Sequence, residues 1–117
     1  MSDITIKNLI IEAHSRSVEK GFYDGIIPTD KYYLGNSLAL MHQELSEALD
    51  ELRDGEIQLY LANDGKPEGF LVELADCIIR ICDTVGSLGL GPEFEEAIKR
   101  KMEYNKNRPY KHGRKNF

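Results

Sequence analysis

The stretch that decides the fold is Phe70-Leu71-Val72-Glu73-Leu74-Ala75-Asp76-Cys77-Ile78-Ile79-Arg80-Ile81-Cys82-Asp83-Thr84-Val85. At about 100° per residue it reads as a helix, predicted over residues 68–88 and ending near Gly86 or Gly89. With Glu73 at the origin, Asp76 falls at about 300°, Arg80 at about 340° and Asp83 at about 280°. Almost every other direction is apolar, from Leu71 and Leu74 through Ile78, Ile81 and Val85. A helix apolar over about three-quarters of its circumference is buried on several sides. Carboxylates in such a setting need cations or strong hydrogen-bond partners.

The segment before it reads the same way. Residues 36–54 are predicted as a helix, capped by Asn36 or Ser37 and stopped by Gly55. Leu38, Met41, Leu45, Ala48, Leu49 and Leu52 form its apolar face, and Glu44, Glu47 and Glu51 share one stripe beside it. Residues 3–20 are a first helix on the loose period of Ile4, Leu9, Ile10, Ala13 and Val18. Residues 92–107 are a fourth, with Pro92 in its first turn and Pro109 beyond its end. Residues 21–35 and 55–67 are connectors. Within the second, Ile57-Gln58-Leu59-Tyr60-Leu61 alternates like a strand, but with so little to pair with it is at best a minor hairpin. A basic tail, 109–117, closes the chain. The expected fold is therefore all-α: one four-helix bundle-like domain over residues 1–117.

Composition narrows the function. The 117 residues are 41% hydrophobic and 30% charged, enough for one packed domain and too apolar for global disorder. No run approaches the roughly 20 apolar residues of a membrane span, and no basic segment leads into an apolar block at Met1-Ser2-Asp3-Ile4. The expectation is a soluble cytoplasmic protein without a membrane partner. A net charge of −5 argues against a nucleic-acid polymer as partner, because phosphate contacts dominate that affinity. Cys77 and Cys82, five apart on one helix, are expected to be buried free thiols. There is no zinc-type Cys/His spacing, glycine-rich phosphate loop or G-x-S-x-G elbow.

The acidic pairs carry the chemistry. Glu44-x-x-Glu47 and Glu73-x-x-Asp76 lie on neighbouring helices expected to run antiparallel. Glu47–Glu51 and Asp76–Arg80 can be ordinary surface charges, the second an (i, i+4) ion pair. If the four carboxylates converge, they repel unless a divalent cation sits among them, and oxygen donors suit Mg²⁺ or Mn²⁺. A di-iron site would want Glu-x-x-His pairs, which are absent here. Lys101, Asn105 and Arg108 share a strip about 60° wide on the fourth helix, suited to phosphate oxygens or simply to a solvated helix end. Phe22, Tyr23, Tyr32 and Tyr33 can stack on a base, although packing is the usual use of such rings. His14 is expected to be structural, and His112 lies in the tail.

Taken in order, these residues resemble the MazG-like all-α nucleoside triphosphate pyrophosphohydrolases. The likeness is carried by His42-Gln43-Glu44-Leu45-Ser46-Glu47-Ala48, by Glu73-Leu74-Ala75-Asp76, and by Lys101-x-x-x-Asn105-x-x-Arg108-Pro109 followed by Lys111-His112-Gly113. It spans roughly residues 5–115, almost the whole chain. The resemblance implies a helical homodimer or homotetramer that uses Mg²⁺, with Mn²⁺ as a substitute. Such an enzyme hydrolyses an NTP or dNTP between the α and β phosphates, giving the monophosphate and pyrophosphate. Glu44, Glu47, Glu73 and Asp76 carry over as metal ligands and catalytic carboxylates, one of them orienting the attacking water. Lys101, Asn105 and Arg108 carry over as phosphate or sugar contacts. Two alternatives stay open: a non-catalytic helical interaction module that binds a basic partner, and a pyrophosphohydrolase acting on a phosphoribosyl nucleotide. The apolar girth of the third helix independently favours an oligomer.

Overall fold

A computed structural model of the chain describes residues 3–110. The described chain is all-α apart from one small hairpin, with α1 at Ile6–Glu19, α2 at Lys31–Asp54, α3 at Phe70–Leu88 and α4 at Gly91–Lys106. Two-residue strands β1, Tyr60–Leu61, and β2, Pro67–Glu68, pair antiparallel between α2 and α3, Tyr60 opposite Glu68. No helix among the described residues is long and apolar enough to cross a membrane. Most of the basic tail, residues 111–117 with His112, lies outside the described residues.

Helix α2 starts at Lys31, five residues earlier than the sequence pattern suggests. Asp30 is its cap: a side-chain oxygen accepts from the Tyr32 amide at 2.8 Å, and its carbonyl accepts from Leu34 at 2.9 Å. Gly35 sits inside the helix on an exposed face where a Cβ would meet nothing, so it interrupts no packing. Helix α3 starts at Phe70, two residues later than expected, because Pro67 and Glu68 are held by β1. Gly69 makes the junction. Its φ is +120°, and a Cβ there would lie 2.6 Å from the Gln58 carbonyl oxygen, so only glycine fits. At the other end Gly89 takes the left-handed conformation, and the Leu90 amide donates back to Val85 at 3.2 Å.

Helix α3 is central. It packs on α2 along one side and on α1 along another, while α4 packs on α1 and the end of α3. Neither α1 nor α4 packs against α2 among the described residues. The apolar core is small: Ile10, Ala48, Cys77 and Cys82 are buried. Both cysteines are free, and the Cys77 thiol faces the Met41 carbonyl of α2 at 3.7 Å. The arrangement is open. Its radius of gyration is 16.6 Å, whereas a compact chain of this length has about 13 Å.

Candidate metal and ligand site

The α2–α3 interface has two unlike sides. The residues of α2 that turn toward α3 include Glu44 and Ala48, both buried. One step round the helix are Leu38, Leu45, Leu49 and Leu52, and one step the other way is Glu47. Helix α3 mirrors this, with Leu71 and Ile78 on the apolar side and Glu73 and Asp76 on the other. Packing the two helices therefore collects the carboxylates on one side and leaves leucines and isoleucine on the opposite side.

One carboxylate oxygen from each of Glu44, Glu47 and Glu73 lies within 4.8 Å of the others. Asp76, the fourth expected ligand, is not part of that trio. It stands about one turn along α3, sharing a cavity with Glu44. Burial pushes the Asp76 carboxyl above its ordinary value, Glu44 adds to this, and Arg80 and Lys66 partly offset it. Burial first, then Glu47, pushes Glu73 from the ordinary 4.5 up to about 7. Glu73 Oε2 is buried without a hydrogen-bond partner.

Arg80 is the strongest counter-charge. Its Nε donates to Glu44 Oε1 at 2.8 Å. The (i, i+4) pairing with Asp76 that the sequence allows is thus replaced by an ion pair across the helix interface. Gln43 gives Glu47 a longer contact, 3.4 Å from its Nε2 to Glu47 Oε1.

Two cavities flank the carboxylates. One, of about 580 Å³, is an acidic trough lined by Glu47, Asp50, Glu51, Asp54, Tyr60 and Glu73. Glu51 Oε2 is also buried there without a partner. The other, of about 510 Å³, runs from Glu44, Asp76 and Arg80 toward Tyr33, Asn36 and Asp83. Only the second combines a guanidinium, an aromatic ring and an amide, so it is the better receptor for an organic anion.

Asp83 anchors the wall of that second cavity. Its carboxylate accepts from Ser17 Oγ at 2.8 Å and Tyr23 Oη at 3.0 Å, and it lies 3.1 Å from His14 Nδ1. His14 and Tyr23 meet edge to face with centroids 4.8 Å apart, and Tyr23 meets Tyr33 at 6.0 Å. His14 and Tyr23 are thus both engaged with Asp83, while Tyr33 reaches the cavity. Phe22 lines the cavity too, and Tyr32 is exposed.

Lys101 and Asn105 are exposed on α4, and Arg108 is half-buried just past its end. Lys101 Nζ lies 4.9 Å and the Arg108 guanidinium 5.6 Å from the Tyr104 ring centroid. The three share one region, yet α4 does not pack on α2, and neither cavity beside the carboxylates is lined by them. Arg80, Asp83, Asn36 and Glu51 are the site features that sequence spacing did not single out as ligand-binding. Arg80 and Asp83 stood in the charged strip of α3, which was the one available signal.

The donor set fits a hard divalent cation. It is all carboxylate oxygen, drawn from two helices, with one buried oxygen lacking any partner. Comparisons of the chain with protein-family models, curated proteins and solved structures give no match.

Proposed function

We propose that this chain is a Mg²⁺-dependent nucleotide pyrophosphohydrolase of the MazG-like kind. It would cleave an NTP or dNTP between the α and β phosphates to give the monophosphate and pyrophosphate. The observation that carries this is the convergence of Glu44, Glu47 and Glu73 beside a cavity that also holds a cation and an aromatic ring. A bare cluster of carboxylates would repel a polyphosphate, so an anionic substrate requires a bridging cation.

Glu44, Glu47 and Glu73 would hold the ion, with Asp76 beside them. Mn²⁺ has the same oxygen preference and would substitute. When bound, the ion supplies charge neutralisation and polarisation of the phosphoryl oxygens. Glu47 is half-buried at the margin of the acidic trough. From there it would accept a proton from a water positioned against the α phosphorus. Tyr33, Asn36 and Asp83 would receive the nucleoside end, the ring by stacking and the polar groups by hydrogen bonds. The monophosphate would then leave through the same cavity.

The protein would act as a homodimer or homotetramer. Leu38, Leu45, Leu49 and Leu52 of α2 and Leu71 and Ile78 of α3 are each 46–57% exposed on the side away from the carboxylates. Six half-exposed side chains of this size present roughly 500 Å² of apolar surface, more than scattered surface leucines and about 60% of the roughly 800 Å² that one partner of a standard interface buries. A second copy laid on this face closes the open layer into a bundle. Lys101, Asn105 and Arg108 would contribute phosphate or sugar contacts where α4 of one copy approaches the carboxylates of another.

The test is pyrophosphate release from a panel of NTPs, dNTPs, modified nucleotides and phosphoribosyl nucleotides, with Mg²⁺ and with EDTA. Metal-dependent release with equimolar monophosphate is expected. A folded protein silent across the panel would overturn the proposal.

A further inference from the structure

Arg80 occupies an unusual position for a partly exposed cation. It leaves α3 about one turn beyond Asp76 and reaches α2, where it pairs with Glu44 at 2.8 Å. The Glu44 side chain is 9% exposed and the Arg80 side chain 43%. A buried carboxylate is thus tied to a guanidinium that still meets solvent. The Arg80 Nη groups make no hydrogen bond among the described residues. Glu44 also belongs to the trio of converging carboxylates. Glu44, Asp76 and Arg80 all line the wall of the second cavity.

Glu44 therefore has two competing partners, a guanidinium and a divalent ion. Both cations crowded on one carboxylate repel each other at short range. A half-exposed arginine can move by a rotamer change, whereas Glu44 is held in the helix interface. The planar fork of arginine matches phosphate oxygens as well as it matches a carboxylate.

We propose that Arg80 is a phosphate-binding residue that doubles as an exchangeable counter-ion: it neutralises Glu44 in the metal-free protein, releases it when a divalent cation binds, and turns its guanidinium to the phosphate of the ligand in the adjoining cavity. The proposal rests on the metal-dependent function above. It differs from a purely structural role for Arg80 in the sign of one observable. A prop for Glu44 helps the metal bind. A counter-ion that must leave opposes it.

The experiment measures Mn²⁺ binding by paramagnetic resonance, and pyrophosphate binding in saturating Mn²⁺ by calorimetry, for the wild type, Arg80→Gln and Arg80→Lys. Arg80→Gln is expected to bind Mn²⁺ about fivefold tighter, because a competing cation is gone. It is expected to bind pyrophosphate about tenfold or more weakly, the loss of a charge-assisted contact. Arg80→Lys keeps the charge without the fork, so Mn²⁺ affinity should stay within about twofold while pyrophosphate binding weakens. Should Arg80→Gln fail to fold, Arg80→Lys alone decides. Weaker Mn²⁺ binding in Arg80→Gln, unchanged pyrophosphate binding in both variants, or no Mn²⁺ binding by the wild type would each overturn the proposal. If both binding results come out as expected but no nucleotide is hydrolysed, the pyrophosphohydrolase function fails and the role of Arg80 stands.

Discussion

A Cβ built on Gly86 would lie 2.6 Å from the Cβ of His14. Here α3 leaves no room for a side chain against α1, since the same Cβ would also lie 3.3 Å from the Ile10 carbonyl oxygen. Glycine inside a helix costs about 1 kcal/mol relative to alanine, so helix propensity alone favours Gly86→Ala. The close approach reverses the sign. Gly86→Ala should destabilise the protein by about 1–3 kcal/mol, as overpacking does. Urea unfolding of the variant checks this, and a midpoint at or above that of the wild type would contradict it.

Asp83 is the shared acceptor of Ser17 and Tyr23 and the partner of His14. Asp83→Ala strands these groups in a partly buried setting. The cost should be about 1–3 kcal/mol for each donor left without an acceptor. Asp83→Asn keeps one oxygen and should lose less. Burial, then the contact with Tyr33, also pushes the Tyr23 phenol far above its ordinary value. In an alkaline absorbance titration, one tyrosine of the six should ionise only after the others. Simultaneous titration of all six would count against the network.

The Glu73 carboxyl is pushed up to about 7 in the folded protein from an ordinary 4.5. The fold thus favours its protonated form. That contribution is fully present below about pH 4.5 and is lost as pH rises through about 7. The metal-free protein should therefore lose stability across this window, and Glu73→Gln should flatten the loss. Unfolding midpoints in EDTA at several pH values test it. A wild-type stability that rises through the window without metal would refute it.

Mg²⁺ or Mn²⁺ should raise the unfolding temperature, since a ligand of the native state stabilises by mass action. At about a hundred times Kd the gain is about 2.7 kcal/mol. Glu47→Gln and Glu73→Gln should each reduce it sharply, whereas substitution of exposed Glu93 on α4 should not. Equal metal responses in all three variants would place the ion elsewhere.

Leu49 is 53% exposed on the apolar side of α2. Leu49→Glu should shift the protein toward monomer in sedimentation at micromolar concentration, because a charge cannot be buried there unpaired. A wild type that is itself monomeric under these conditions would remove the basis for the oligomer.

Local chemistry alone determined the four helices and the side of each helix on which the carboxylates stand, while the hairpin at Tyr60–Leu61 and Pro67–Glu68, at best a minor possibility in the sequence, appeared only with the structure. Apolar periodicity sets the helices, and Gly55 and Gly89 mark two of their ends as glycine does at helix stops. For the start of α2 the sequence offers Asn36 or Ser37 as caps by residue type, whereas the cap is Asp30, whose side chain accepts from the Tyr32 amide. Tertiary structure decided the pairings. Asp76 lies within reach of Arg80 by the (i, i+4) rule, yet the guanidinium goes to Glu44 across the helix interface. Asp83 looked like one more charge in a strip until α1 brought Ser17 and His14 to it. The physical reason is common to these cases. The 3.6-residue repeat fixes direction around a single helix axis, but the register and rotation between two helices depend on contacts such as Gly86 against His14. Those contacts join residues far apart in the chain, and no local pattern encodes them.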